Sequence, residues 1–176
     1  LHLGFNELTA LPEGAKEWKA LRELELRNNR FASLPAWCEA WPELQVLNLS
    51  INRLQDLPPC LSACSQLEEL EVSGNELNAW PEVLFRLEQL EHLAISANRL
   101  RDVPQEILAL TELRSIYLSL NPLEQPPRNL AGLPHLEEVS LLDTPLSEKQ
   151  VQEFQQLLGP QVELYAPGVV LPPPTD

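Results

Sequence analysis

No stretch of this chain is apolar for long enough to cross a bilayer as a helix, although 44% of its residues are hydrophobic, and that excludes a membrane span. Glycine is scarce, and its 6 copies never fall in a G-x-G-x-x-G spacing, so no phosphate-cradling loop is present. Histidine is sparse too. His2, His92 and His135 stand far apart, and no serine or cysteine is placed with a histidine and a carboxylate in a nucleophilic arrangement. Catalysis within these residues is therefore not expected, nor is a cofactor. Cations are outnumbered, 12 Lys and Arg against 26 Asp and Glu, for a net charge of −14. Nucleic acid and anionic membranes both demand a cationic surface and are poor partners for such a chain. An acidic balance suits a soluble protein or a basic partner and selects neither.

What the chain has in abundance is leucine at a fixed interval. Leu21, Leu44, Leu67, Leu90, Leu113 and Leu136 follow one another at 23 residues, each opening the frame L-x-x-L-x-L-x-x-N-x-L-x-x-L-P. One copy reads Leu21, Leu24, Leu26, Asn29, Phe31, Leu34, Pro35 and a later one Leu90, Leu93, Ile95, Asn98, Leu100, Val103, Pro104. Self-similarity at such a period marks a repeat architecture. The L-x-L segments, such as Leu24-Glu25-Leu26 and Leu93-Ala94-Ile95, alternate as half-buried strands do. No single unit can bury its apolar face, so the core exists only through stacking.

Five complete units with a partial one at each end resemble the leucine-rich repeat family over residues 1–146. The length of 23 and the Leu-Pro ending are similar to its intracellular class in plant Ras-group-related, Roco and bacterial proteins. The resemblance implies an α/β solenoid, a curved right-handed stack with a parallel sheet on the concave face and short helical or 3₁₀ turns on the convex one. It also implies a buried ladder made by Asn6, Asn29, Asn52, Asn75, Asn98 and Asn121, each amide bonding backbone of its own and the neighbouring turn. A second apolar set behind each Leu-Pro (Cys38, Leu61, Leu84, Ile107, Leu130) and a third spaced three further on (Trp41, Cys64, Leu87, Leu110, Leu133) suit a turn of helix starting at the proline.

The last unit carries Thr144 in place of asparagine, after which residues 147–166 read as a cap. Ser147 with Gln150 makes a capping-box pattern, Gly159-Pro160 a stop, and Val162 to Tyr165 a final edge strand. Residues 167–176, with three successive prolines, read as an extended or disordered tail. At the other end Leu1-His2-Leu3 is already the strand of a unit whose first positions are missing, and there is no initiator methionine, so further sequence is expected upstream. Cys38 and Cys64 hold core positions of the frame and are expected to be reduced, while Cys60 lies on the back. A Cys60-x-x-x-Cys64 metal pair lacks further ligands. With no cysteine in the cap, a cytoplasmic location is favoured.

The outward strand positions map the concave surface row by row. Residues from His2 through Glu25, Asn48, Glu71, Ala94, Tyr117 and Ser140 form one row, and those from Phe5 through Asn28, Ile51, Gly74, Ala97, Leu120 and Asp143 another. A serine row from Ser50 to Ser119 leaves a shallow floor, beside which Phe5, Ile51, Tyr117 and Leu120 place large apolar groups toward solvent, as interface anchors do. Surface hydrophobes without a role are the alternative. Glu23, Glu25, Glu68, Glu69, Glu71 and Glu91 gather at one margin and Arg30, Arg53 and Arg99 at the other, a polarity that orients a partner. The expected contact residues are Phe5, Arg27, Ile51, Arg53, Glu71, Tyr117 and Leu120, in a monomeric module that binds another protein without chemistry. Two other readings stand beside it. One is the recognition part of a larger ubiquitin ligase, Roco GTPase or kinase; the other is self-assembly through the open strand edge.

Overall fold

A computed structural model describes residues 1–168. Seven parallel strands of three residues each run in sequence order: β1 (Glu23–Glu25), β2 (Val46–Asn48), β3 (Glu69–Glu71), β4 (His92–Ala94), β5 (Ser115–Tyr117), β6 (Glu138–Ser140) and β7 (Glu163–Tyr165). The pairing keeps one register, Leu24 beside Leu47, Leu47 beside Leu70 and so on up the stack. Leu1–Leu3 contributes only a single parallel bridge, His2 with Glu25. Every central strand residue from Leu24 to Leu164 is buried, and so is the row beneath it from Phe31 to Leu123.

The chain turns back through short 3₁₀ helices. Pro12, Pro58, Pro81, Pro104 and Pro127 each stand just before one, and the helix of Cys38–Ala40 follows Trp37. Proline suits this place because its fixed φ leads into the turn and its missing N–H is not needed there. Trp41 fills a leucine position entirely inside, and its indole N–H donates to the Ala15 carbonyl at 2.8 Å. At the end of the stack α1 (Glu148–Leu158) begins with the expected capping box, Ser147 and Gln150 each bonding the other's backbone N–H. The helix lays Val151, Phe154 and Leu158 on the last repeat, and β7 extends the sheet. The proline-rich tail falls, from residue 169 onward, outside the described residues.

The ladder asparagines are buried from Asn29 to Asn121. Asn52 is representative: its amide nitrogen donates to the carbonyls of Leu49 in its own unit and Leu26 in the preceding one, both at 3.0 Å, and its oxygen accepts from the Phe31 N–H at 3.0 Å. Asn6 differs. It is exposed, and its side-chain amide bonds only Leu3 and Gly4 of its own turn. Thr144 keeps one contact, donating to Leu141 at 2.8 Å.

Cys38 departs from expectation. It is joined to Cys60 in a disulfide between adjacent units, so neither is a free thiol and Cys60 is not available as a metal ligand. The two positions differ in the frame by one place, yet the neighbouring turns bring them together. Cys64 is free and buried, and burial, with Glu39 adding to it, pushes its thiol up to about 11. Disulfides persist in oxidising compartments.

Two outcomes test this description. Asn75→Leu orphans the buried Leu54 N–H and takes one of two amide donors from each of the Leu49 and Val72 carbonyls, and is expected to cost about 1–3 kcal/mol in denaturant titration, whereas Asn6→Leu, exposed, is expected to leave the midpoint nearly unchanged. Thiol titration of the unfolded, unreduced protein is expected to find one free thiol, and after reduction three. Closing a loop of 22 residues contributes about 3 kcal/mol, so reduction should lower the unfolding free energy by about that amount.

Candidate functional site

The residue just before each ladder position turns the chain out of the strand, and it does so with a left-handed backbone. Phe5 (φ 57°), Asn28 (54°), Ile51 (57°), Gly74 (67°), Ala97 (52°), Leu120 (58°) and Asp143 (54°) all share it. Asparagine, aspartate and glycine adopt this conformation readily. For a β-branched residue such as Ile51 it is an outlier with a strain on the order of 1–3 kcal/mol. The consequence is outward projection: Phe5 is 72% exposed, Leu120 55% and Ile51 45%. Leu142, in the neighbouring serine row, is likewise 45% exposed, and it lies next to Leu120, whose N–H donates to its carbonyl. Leu142 is not among the expected contact residues.

The expected contact residues fall into two groups and a bridge. At the start of the stack Arg27 lies over the Phe5 ring at 5.8 Å, with Ile51 in the next unit against Gly74. At the far end are Tyr117 and Leu120. Glu71 sits between, on a strand two places from Tyr117. Arg53 is exposed directly after Asn52, and among the described residues it makes no ion pair, unlike its counterparts.

Those counterparts change the electrical reading. Arg30 pairs with Glu7 at 2.7 Å and Arg99 with Glu76 at 3.4 Å, so the supposed basic margin is largely neutralised by glutamates one unit earlier. At the acidic margin Arg114 reaches both Glu91 at 3.0 Å and Glu137 at 2.7 Å. Its hydrogen bond and charge contact with Glu137, then the charge of Glu91, hold the guanidinium above its ordinary value. One margin therefore carries separate ion pairs and the other the chain Glu91–Arg114–Glu137, with the acidic strand face between them.

The serine floor is also less free than expected. Ser50 is buried, Ser119 and Ser140 hydroxyls bond each other at 2.7 Å, and the Ser73 hydroxyl accepts from the Ser96 N–H at 3.2 Å. Asn48 is buried as well, donating to the Glu71 carboxylate at 2.7 Å. Beside them, Glu69, Glu71, His92, Ala94, Ser115 and Tyr117 line a cavity of about 260 Å³. Here His92 Nδ1 bonds Ser115 Oγ at 2.7 Å and the Tyr117 hydroxyl donates to Glu138 at 2.8 Å. Burial, then the bond to Glu138, raises the Tyr117 phenol above its usual range, so the phenol keeps its proton.

Among the described residues no group of three or more His, Cys, Asp or Glu side chains is placed to hold a metal ion, and no helix is long and apolar enough to cross a membrane. What the geometry defines is a repeat solenoid with one open parallel sheet. The leucine-rich repeat family model matches residues 1–54 and 19–77, and solved neighbours share the fold over most of the chain. The fold is that of a leucine-rich repeat solenoid, and residues 1–77 carry the sequence pattern of that family. A leucine-rich repeat protein of Leptospira interrogans is 21% identical and matches 93% of this chain and 59% of its own, with a TM-score of 0.52. The plant peptide hormone receptor RGFR1, in complex with RGF2, is 23% identical over 82% of this chain and 28% of its own, with a TM-score of 0.59. PEPR1 with AtPEP1 is 27% identical over 77% of this chain and 23% of its own, at 0.61. The chain thus spans less than two thirds of the length of each. A search of curated protein sequences returned no match.

The backbone of Ile51 supplies its own test. Asn28 occupies the same place in the preceding unit at φ 54°, so Ile51→Asn is expected to raise stability by about 1 kcal/mol by relieving strain. Destabilisation in a denaturant titration would contradict the strained turn.

Proposed function

We propose that this leucine-rich repeat segment is a protein-interaction module that binds its partner on the concave face and carries out no chemistry itself. One observation carries the reading: the left-handed turns that serve the ladder hold Phe5, Ile51 and Leu120 outward, as apolar side chains that the core does not require. Backbone strain at a surface residue is retained where a site uses it, and exposed apolar anchors on a rigid sheet are how hot spots are built. The receptor RGFR1, solved in complex with RGF2, shares the fold, and that supports the reading by analogy of fold alone. A single chain presenting this face acts as a monomer, and its acidic surface turns away nucleic acid.

The decisive comparison is affinity capture from the source organism's lysate with the wild-type segment, the Ile51→Glu, Tyr117→Ala variant, and Arg86→Glu on the convex back. A protein retained by the first and third and lost from the second, with circular dichroism unchanged, is the expected outcome. Identical capture by all three removes the concave anchors from consideration.

A further inference from the structure

We infer that the cavity over Ala94 is a socket for an arginine side chain on an extended, basic segment of the partner protein; this rests on the concave-face reading above and adds the partner's chemistry to it. Ala94 lies in register between Glu71 and Tyr117, so one short side chain stands between two long ones and opens the notch. Its volume of about 260 Å³ falls below the ~300–1,000 Å³ of sites that enclose whole small molecules. It suits one side chain.

The charge of the notch is left unanswered by the chain. Glu7, Glu76, Glu91, Glu124, Glu137 and Glu153 each have an arginine within 3.4 Å, while other exposed carboxylates such as Glu82 and Glu106 are left to solvent. Glu69 and Glu71 have none among the described residues. Glu71 is half-buried and takes hydrogen bonds only from neutral donors, Asn48 at 2.7 Å and Ser50 at 3.5 Å. A carboxylate partly removed from water without a counter-ion gains when a cation arrives. The other polar groups of the notch are already engaged, His92 with Ser115 and Tyr117 with Glu138, which leaves Glu69 and the Oε1 of Glu71 as its free acceptors. A planar guanidinium meets a carboxylate through two parallel bonds and lies against an aromatic ring, neither of which an ammonium does as well. The net charge of −14 brings such a segment in by long-range attraction.

Hexa-arginine, labelled and titrated by fluorescence anisotropy, is the probe, with hexa-lysine for comparison. Glu69→Gln with Glu71→Gln is expected to weaken hexa-arginine by about tenfold. Glu82→Gln with Glu106→Gln, exposed on the convex 3₁₀ turns, removes the same charge and should change it by less than about twofold. Ala94→Leu leaves the charge alone and fills the notch, and is expected to weaken binding by about fivefold; its thermal unfolding reports whether the sheet is intact. Hexa-lysine should bind more weakly than hexa-arginine and respond less to Ala94→Leu. Equal losses in the two glutamine pairs, or wild-type affinity in a folded Ala94→Leu, overturn the socket and reduce the binding to net charge. The two readings separate through the captured partner. If it is lost with Ile51→Glu alone but kept by Ala94→Leu, the concave face stands and the socket falls. If it survives Ile51→Glu while hexa-arginine follows the notch variants, the socket stands without the anchors.

Discussion

Strands of three residues are too short to hold a sheet by their own pairing, and the buried asparagine amide is the interaction on which the stack depends. Each amide answers one N–H and two carbonyls, and one of those carbonyls belongs to the unit before. Burying so much backbone at a turn is tolerable only when its polar groups are met. Because the bonds cross between units, the ladder also fixes the register that places every leucine over its counterpart. The hydrophobic rows and the amide ladder are therefore a single constraint: the first drives stacking, and the second allows no other alignment.

The same turn that carries the ladder also sets the candidate surface. A strand must leave the sheet within one residue to present asparagine inward, and a left-handed backbone accomplishes that. Where the residue is asparagine, aspartate or glycine the turn is free of cost. Where it is phenylalanine, isoleucine or leucine, the fold carries strain and gains an outward apolar group whose backbone cannot relax. Rigidity of this kind lowers the entropy lost on association, a benefit that a hydrophobe on a flexible loop does not provide.

The sequence made the fold legible because a period of one unit appears directly as recurrence, and parallel stacking converts that recurrence into space. Outward positions were legible for the same reason: Phe5, Ile51 and Leu120 share one place in the frame. Their left-handed backbone could have been read from Asn28, Gly74 and Asp143, the residue types that favour it, standing in that row. Ion pairs were harder, since a map of charge by margin does not show that Arg30 lies over Glu7 unless adjacent units are compared. The notch was missed in a similar way. It is defined by what Ala94 lacks, and a search for conspicuous side chains passes over the small one between them. Cys38 and Cys60 were separated because each was assigned to its own row, whereas side chains one place apart in adjacent turns can still meet.

One feature of the register reaches beyond the single molecule. Every contact of the ladder is made with an immediate neighbour, and all units present the same ends to one another. Removing or duplicating a whole unit therefore leaves two compatible faces to rejoin, while losing a single residue inside one breaks the alignment of everything that follows. A gene built this way can change length in whole steps and remain foldable. Its reach along a partner is then an inherited variable, adjusted by copying units rather than by redesigning a core.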